Sequence, residues 1–522
     1  MSLVHHFLED SARRQGEKLA LICGNERLTY SAINDRAERV AAWLEDTGIR
    51  RQDRVIVFLD NCSESVVSLY GVSKAGGIFV MPDASMKARK LRFILKDSGA
   101  KVLITHPSKA QVVRDALADG TNLEHIVWCP EVPWEASRTA PHIQFRSWGE
   151  VLSTTYGPGS ARLGKRCIDL DLAAIIYTSG STGEPKGVMS AHANMVAAIR
   201  SITSYLENQA SDIVLCALPL SFDYGLYQVL MAFAFGGTIV LERSFTYPYQ
   251  VVERLIGEQV TGLPLVPTMV AMLLTMDLSR CDFTSVRYIS NTAAALPVPH
   301  IQKLRAIFPC AKIFSMYGLT ECKRVSYLPP EELDRRPNSV GIPIPNEEVF
   351  VVDENGVEVG PNVIGELVVR GSNVMRGYWN SLEESRQRFR PDPRTGETLL
   401  YTGDLFKRDE DGFLYFVARK DDLIKTKGHR VSPREIENVL CELDQVAEAA
   451  VIGVPDDVCG QAIKVFVDVK KDGQVAKEDI LRHCGKHLES FMVPKYIEFV
   501  PVMPRTSSGK IDKKALAGIA RE

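Results

Sequence analysis

The chain lacks several features that would place it quickly. No apolar run approaches the roughly 20 residues that a membrane-spanning helix needs, so no transmembrane segment is expected. Excess charge of one sign is missing too: 62 Lys and Arg stand against 65 Asp and Glu, a formal net charge of −3. That near-balance gives no global reason to expect nucleic acid or an acidic membrane as a partner. The 11 cysteines are odd in number and lack metal-ligand spacing. A structural zinc site is therefore unsupported, and scattered thiols suit a reducing compartment. The first residues, Met1-Ser-Leu-Val-His-His-Phe-Leu-Glu-Asp10, are amphipathic and acidic, unlike a secretory signal. Cytoplasmic localisation is the expectation. No internal repeat or low-complexity tract is visible.

What is present is 522 residues of ordinary composition, 45% hydrophobic and 24% charged, too long for one typical core. Short apolar runs alternate with helical patterns. Arg54–Leu59, Val102–Thr105, His125–Trp128, Leu172–Ile176, Ile213–Leu218, Thr238–Leu241, Gly262–Val266 and Lys312–Met316 read as strands. Residues 3–15, 31–46, 64–74, 108–117 and 250–258 read as helices. The helix at 31–46 has Ser31 as its expected N-cap and Ile33, Ala37, Val40 and Leu44 on one face. Alternation of this kind argues for parallel sheets covered by helices. Residues 130–165, rich in Pro, Ser and Gly, read as an irregular surface connection.

From about 340 the texture changes to short strands spaced by Gly and Asn turns, and from Asp421 to a separate α+β pattern. The expected fold is α/β. A large N-terminal domain (1–420) is built of parallel-rich α/β sheets, with a small β-rich subdomain at about 340–420. A small, mobile α+β domain (421–522) follows, hinged near Lys420-Asp421.

The stretch Tyr177-Thr-Ser-Gly180-Ser-Thr-Gly183-Glu-Pro-Lys186-Gly187 follows a strand, and a helix is expected from Ser190. Small residues, hydroxyls, free N–H groups and one lysine suit phosphate oxygens, although an ordinary polar loop has the same look. It is not a Walker loop, because Glu184-Pro185 separate Gly183 from Lys186 and Gly187 follows the lysine. Tyr317-Gly-Leu-Thr-Glu321 follows a strand at the crevice position of open α/β sheets. Its ring, hydroxyl and carboxylate suit a purine, a phosphate and Mg²⁺. Tyr401-Thr-Gly-Asp404 offers a carboxylate for paired ribose hydroxyls, or a turn-capping aspartate. The charged run Arg419–Glu437 and the tail Pro504–Asp512 with Lys510 read as solvated surface or as functional loops.

Together these strings resemble the AMP-forming acyl-adenylate superfamily: acyl-CoA synthetases, amino-acid adenylation domains and luciferases. The resemblance spans roughly residues 8 to 516. It includes Leu28–Tyr30, Lys74–Val80, the Tyr177–Gly187 loop, Tyr317–Glu321, Gly365–Gly371 with Gly377-Tyr-Trp-Asn380, Tyr401–Asp404, Arg419–Gly428 and Gly509-Lys510. It implies activation of a carboxylic acid by ATP and Mg²⁺ to acyl-AMP, then transfer to CoA or to the phosphopantetheine of a carrier protein. By position, Thr178, Ser179, Gly180, Ser181, Thr182, Gly183 and Lys186 cradle the β- and γ-phosphates. Tyr317 lies near adenine, Thr320 meets the α-phosphate, and Glu321 holds Mg²⁺. Asp404 takes the ribose with help from Arg419, while Lys510 bridges the α-phosphate and the attacking carboxylate. Asp421 is the hinge of a domain swing that brings Gly428 toward the thiol tunnel.

The resemblance maps the acid pocket to Phe222, Asp223, Tyr224, Tyr227, Thr292, Ala294, Met316, Arg324 and Val325. Phe222-Asp223 is the form found in amino-acid-activating members, whose aspartate pairs with the substrate ammonium. Gly225 departs from them, since they usually carry Ser there. Asp223 either meets such an amine or bonds local backbone or Arg324, and Lys323 and Arg324 offer partners for a second acidic or polar group. Val431–Glu437 has the acyl-CoA synthetase form instead. No carrier domain is read within the chain, so a stand-alone ligase is expected, with an assembly-line adenylation module, a luciferase-like oxygenase and a non-catalytic binding module as the other readings.

Overall fold

The computed structural model describes residues 3–117, 121–133, 142–155, 167–179, 185–292, 296–420, 422–426, 429–456, 460–470, 473, 475–506 and 510–519. Gly180, Ser181, Thr182, Gly183, Ala294, Asp421 and Gly428 lie outside the described residues. Only the backbone of Ser179 is described.

Two large sheets carry the N-terminal part. In the seven-stranded one, Arg54–Phe58 pairs in parallel with Ile78–Val80 on one side and Val102–Thr105 on the other. These strands are continuous apolar runs because helices cover both faces. In the nine-stranded sheet, Gly262–Leu265, Tyr288–Asn291 and Lys312–Tyr317 run parallel to one another. The sheet closes at one edge with the antiparallel strands Ser326–Leu328 and Ile342–Pro343. A third sheet collects Glu347–Val352, Gly365–Gly371, Phe389–Pro391, Thr398–Arg408 and Leu414–Arg419. A fourth, with a hydrophobic core of its own, is formed from Ile424–Thr426 to Tyr496–Phe499.

Local chemistry explains most boundaries. The helix Tyr30–Asp46 is capped by Thr29, whose hydroxyl accepts from the Ala32 N–H at 3.2 Å, not by Ser31. Its inward stripe includes Ile33, Ala37, Val40 and Leu44, all fully buried. The helix expected from Ser190 begins two residues later, at His192. Residues Pro185–Ala191 form a strand that returns antiparallel along Leu172–Ser179. The segment alternates poorly because most of it is buried on both sides, and that hides its strand character. Lys186 therefore lies on the returning strand of an antiparallel pair.

Part of the connection read as irregular is structured. Gln144–Ser147 adds to the seven-stranded sheet as a polar outer strand, and Trp148–Leu152 follows as a short helix capped by Ser147. The strand has no apolar run to betray it. Asp404 does not cap a turn. It lies inside the strand Thr398–Arg408, directly opposite Arg419. Gly403 beside it has φ +70°, which breaks the alternation and imitates a turn in the sequence.

Candidate active site

Three strands from two sheets bring the nucleotide-type residues together. Tyr317 ends the strand Lys312–Tyr317, and its hydroxyl donates to Asp404 Oδ2 at 2.6 Å. Arg419, on the neighbouring strand, places Nε 3.4 Å from Asp404 Oδ1. Asp404 is 4% exposed. Burial raises its pKa, and Arg419, Tyr317, Arg388 and Lys510 oppose that rise. The Tyr317 ring meets Phe406 edge-on at 4.8 Å between centroids, so its position is fixed by packing as well as by its hydroxyl.

A second row runs from Lys186 to Glu321. Lys186 Nζ sits 2.6 Å from Glu384 Oε1 and 6.0 Å from the ring centre of Tyr378. The Tyr378 hydroxyl in turn donates to Glu321 Oε1 at 2.6 Å. Burial pushes that phenol's pKa up, and the Glu321 charge adds to the effect. Thr178 and Thr320 are half-buried near the ends of their strands. Tyr378 belongs to a motif that carried the resemblance, but sequence alone assigned it no role. Glu384, in the short helix Leu382–Arg388, had no signal beyond being one acid among several.

Lys510 reaches this site from the C-terminal sheet domain. Its carbonyl accepts from Thr506 N–H at 2.8 Å, and its side chain is exposed. Although the residue keeps solvent access, the protein around its ammonium partly desolvates it and Arg419 repels it, and both lower its pKa. Asp223, Asp404 and Glu321 act in the other direction. One lysine is thus within electrostatic reach of the residues expected at the ribose, the metal and the acid.

The acid-pocket residues converge in the interior. Asp223 opens the helix Asp223–Phe235. Its partner is neither backbone nor Arg324 but Lys323, whose Nζ lies 3.5 Å from Asp223 Oδ2. Lys323 is 3% exposed and has a left-handed backbone, φ +67°. Its ammonium faces the ring of Tyr227 at 4.6 Å and that of Tyr224 at 5.3 Å. Burial lowers its pKa to about 7 against the pull of Asp223. The Tyr224 hydroxyl bonds Ser290 at 2.7 Å to Oγ and 2.8 Å to the carbonyl. Arg324 stacks 5.4 Å from the Tyr224 ring, and its Nε has no hydrogen-bond partner among the described residues.

Met316 and Thr292 are buried, Phe222 is half-buried at the helix N-cap, and the Tyr205 hydroxyl contacts Met316 Sδ at 3.0 Å. The departure at Gly225 has a steric cause. A Cβ there would lie 2.3 Å from the Pro219 carbonyl oxygen and 2.8 Å from that of Leu218.

This arrangement can bind a polyanion, seat a second anionic reactant beside it, and stabilise charge that develops between them. Residues 8–379 match the family model described as AMP-binding enzyme, and residues 435–510 match its C-terminal domain. A long-chain-fatty-acid–CoA ligase of Salmonella typhimurium is 31% identical, covering 100% of this chain and 95% of that protein. Tyrocidine synthase 1 of Brevibacillus parabrevis is 28% identical over 98% of this chain and 44% of its own length. Among solved structures, the anthranilate CoA ligase AuaEII in complex with anthranoyl-AMP is 27% identical with a TM-score of 0.88, covering 100% of this chain and 97% of that one. With the convergent site, these matches mean that the chain belongs to the AMP-binding enzyme family and is an AMP-forming acid–thiol ligase.

Proposed function

We propose that the chain joins a small carboxylic acid to ATP at the Lys510 end of this site and then passes the acyl group to CoA. The observation that carries this reading is that Tyr317 and Arg419 hold the buried Asp404 at 2.6 and 3.4 Å, and that the charges of Asp404, Glu321 and Asp223 all act on Lys510. In the first step a carboxylate oxygen attacks the α-phosphorus, the bond to the departing pyrophosphate breaks, and acyl-AMP forms. Two anions must approach each other, so positioning and charge neutralisation dominate the barrier. Lys510 supplies the cation between them, Lys186 the cation at the β- and γ-phosphates, and Asp404 the anchor for the ribose. Thr178 and Thr320 offer hydroxyls to phosphate oxygens. Tyr317 fixes Asp404 and presents its ring toward the adenine side.

Mg²⁺ fits the residues present. Among the described residues no group of three or more His, Cys, Asp and Glu side chains could hold a metal. Glu321, half-buried and oriented through one oxygen by Tyr378, offers a single hard-oxygen ligand. One carboxylate completed by phosphates and water is the usual surrounding of Mg²⁺, which would neutralise phosphate charge when bound.

In the second step the thiol attacks the acyl carbonyl and AMP leaves. We place the pivot for this exchange at Asp421 and the thiol side near Gly428. CoA is preferred as acceptor because the long CoA-ligase relatives are spanned almost end to end. A carrier-protein phosphopantetheine is the second reading, favoured by the tyrocidine synthase relative.

The test is pyrophosphate release against a panel of carboxylic and amino acids, followed by AMP release with CoA or with a holo carrier protein. Acid-dependent pyrophosphate release and CoA-dependent AMP release are expected. No acid-dependent pyrophosphate from any acid would overturn the reading. AMP release with the carrier alone would replace CoA by the carrier.

A further inference from the structure

The pair formed by Lys323 and Asp223 is unusual in three respects that its structural role does not explain. First, a lysine with a side chain only 2% exposed is held by one carboxylate contact of 3.5 Å. Charge-assisted hydrogen bonds are normally about 2.7–2.9 Å, and an ammonium has three N–H donors. This ammonium also faces the rings of Tyr224 and Tyr227, which attract a cation without satisfying an N–H. Second, Tyr227, whose ring this ammonium faces at 4.6 Å, has a fully buried hydroxyl with no hydrogen-bond partner among the described residues. Buried polar atoms in folded proteins are almost always paired, so an orphan hydroxyl at a pocket points to a missing acceptor or donor. Third, Arg324, the next residue in the chain, is buried as well, and its Nε has no hydrogen-bond partner among the described residues.

Building on the adenylation reading above, we propose that Lys323 is the specificity-determining residue of the acid pocket and receives a second carboxylate of the substrate, so that the preferred substrates are short dicarboxylic acids. The reacting carboxylate would lie toward Lys510, and the distal one between Lys323 and the Tyr227 hydroxyl. Asp223 lies 3.5 Å from Lys323, and its charge also acts on Lys510. A second anion would shorten the contacts of a loosely held ammonium and give the Tyr227 hydroxyl an acceptor. A substrate ammonium would do the reverse. It would compete with Lys323 for Asp223 and add a third positive charge beside Arg324. An apolar acid would leave the Tyr227 hydroxyl and Lys323 as they are, with no gain from either.

The experiment measures acid-dependent pyrophosphate release for monocarboxylic, dicarboxylic and amino acids matched in chain length, on the wild type, Lys323→Met and Lys323→Arg. The wild type is expected to prefer a diacid over its matched monoacid by about 10-fold or more in kcat/KM, the scale of one charge-assisted contact. Lys323→Met is expected to lose that preference, read as the diacid-to-monoacid ratio of kcat/KM within the variant whatever its overall turnover, and Lys323→Arg to keep part of it. Because Lys323→Arg retains the buried charge, it keeps the test decisive if the methionine variant fails to fold. A wild type that releases pyrophosphate with monoacids or amino acids but does not favour diacids overturns the proposal and leaves the adenylation reading standing. A diacid preference that survives in Lys323→Met also overturns it. No pyrophosphate with any acid overturns both.

Discussion

The two ends of the site are built differently. At the nucleotide end, hydroxyls and carboxylates meet at 2.6 Å: Tyr317 with Asp404, and Tyr378 with Glu321. Each pair joins different strands or loops, so the groups are held before any ligand arrives. At the acid end, charges meet at 3.5 Å across aromatic faces, and buried polar atoms have no partner among the described residues. The first arrangement suits a reactant that never changes, because every group has its place and reorganisation costs little. The second suits a reactant that differs from one family member to the next. It is stable enough to fold yet incomplete enough to reward one substrate over others. Affinity for ATP and choice of acid should therefore respond to different mutations.

Lys510, proposed to act between the two ends, should have the largest effect when lost. Lys510→Ala is expected to lower acid-dependent pyrophosphate release by about 10²- to 10³-fold, the scale for removing one preorganised charge stabiliser. The loss should be equal for every acid, while thioester formation from supplied acyl-AMP stays within a few-fold. Equal loss of both half-reactions would remove the assigned role. The next test separates the ends. Asp404→Ala should raise KM for ATP by about 10- to 100-fold, as expected for a buried group with charge-assisted partners, and leave the ranking of acids unchanged. A changed ranking would mean that the two ends are not independent. The smallest effect is expected at the latch on the phosphate lysine. Lys186 and Glu384 are both partly exposed, so their pair is weak. Glu384→Gln should lower KM for ATP by about two- to fivefold, because the phosphates no longer compete with a carboxylate. An unchanged or raised KM would assign Glu384 to orienting Lys186 instead.

The legibility of the sequence divides along the same line. The parallel strands were readable because burial on both faces forces continuous apolar runs, as in Val102–Thr105 and Thr238–Leu241. Strands without that signature were missed or cut short. Pro185–Ala191 looked like the approach to a helix, and Thr398–Arg408 was broken in the reading by Gly403. Tyr317, Asp404 and Arg419, which the structure brings together, were marked by the resemblance, because each sits in a short motif of fixed order. The acid end was less so. Asp223 was recognisable as a carboxylate in need of a partner, but which cation answers it depends on a contact 100 residues away. That Lys323 rather than Arg324 turns toward Asp223 follows from its left-handed backbone, which no single-sequence pattern announces. Tyr378 and Glu384 depend on how the third sheet docks, and docking between sheets has no local signature.

The backbone beside Asp404 has a further consequence. The strand Leu414–Arg419 is zipped to Thr398–Arg408 up to Arg419, and the next N–H, that of Lys420, still bonds the Gly403 carbonyl at 2.9 Å. Among the described residues, the last such bond lies one residue before the proposed pivot at Asp421. A rotation beginning there would sweep Lys510 away without tugging on the ribose carboxylate. The fulcrum and the anchor share a post. The enzyme could retool the far side of its site between half-reactions while the adenylate stays clamped at its sugar.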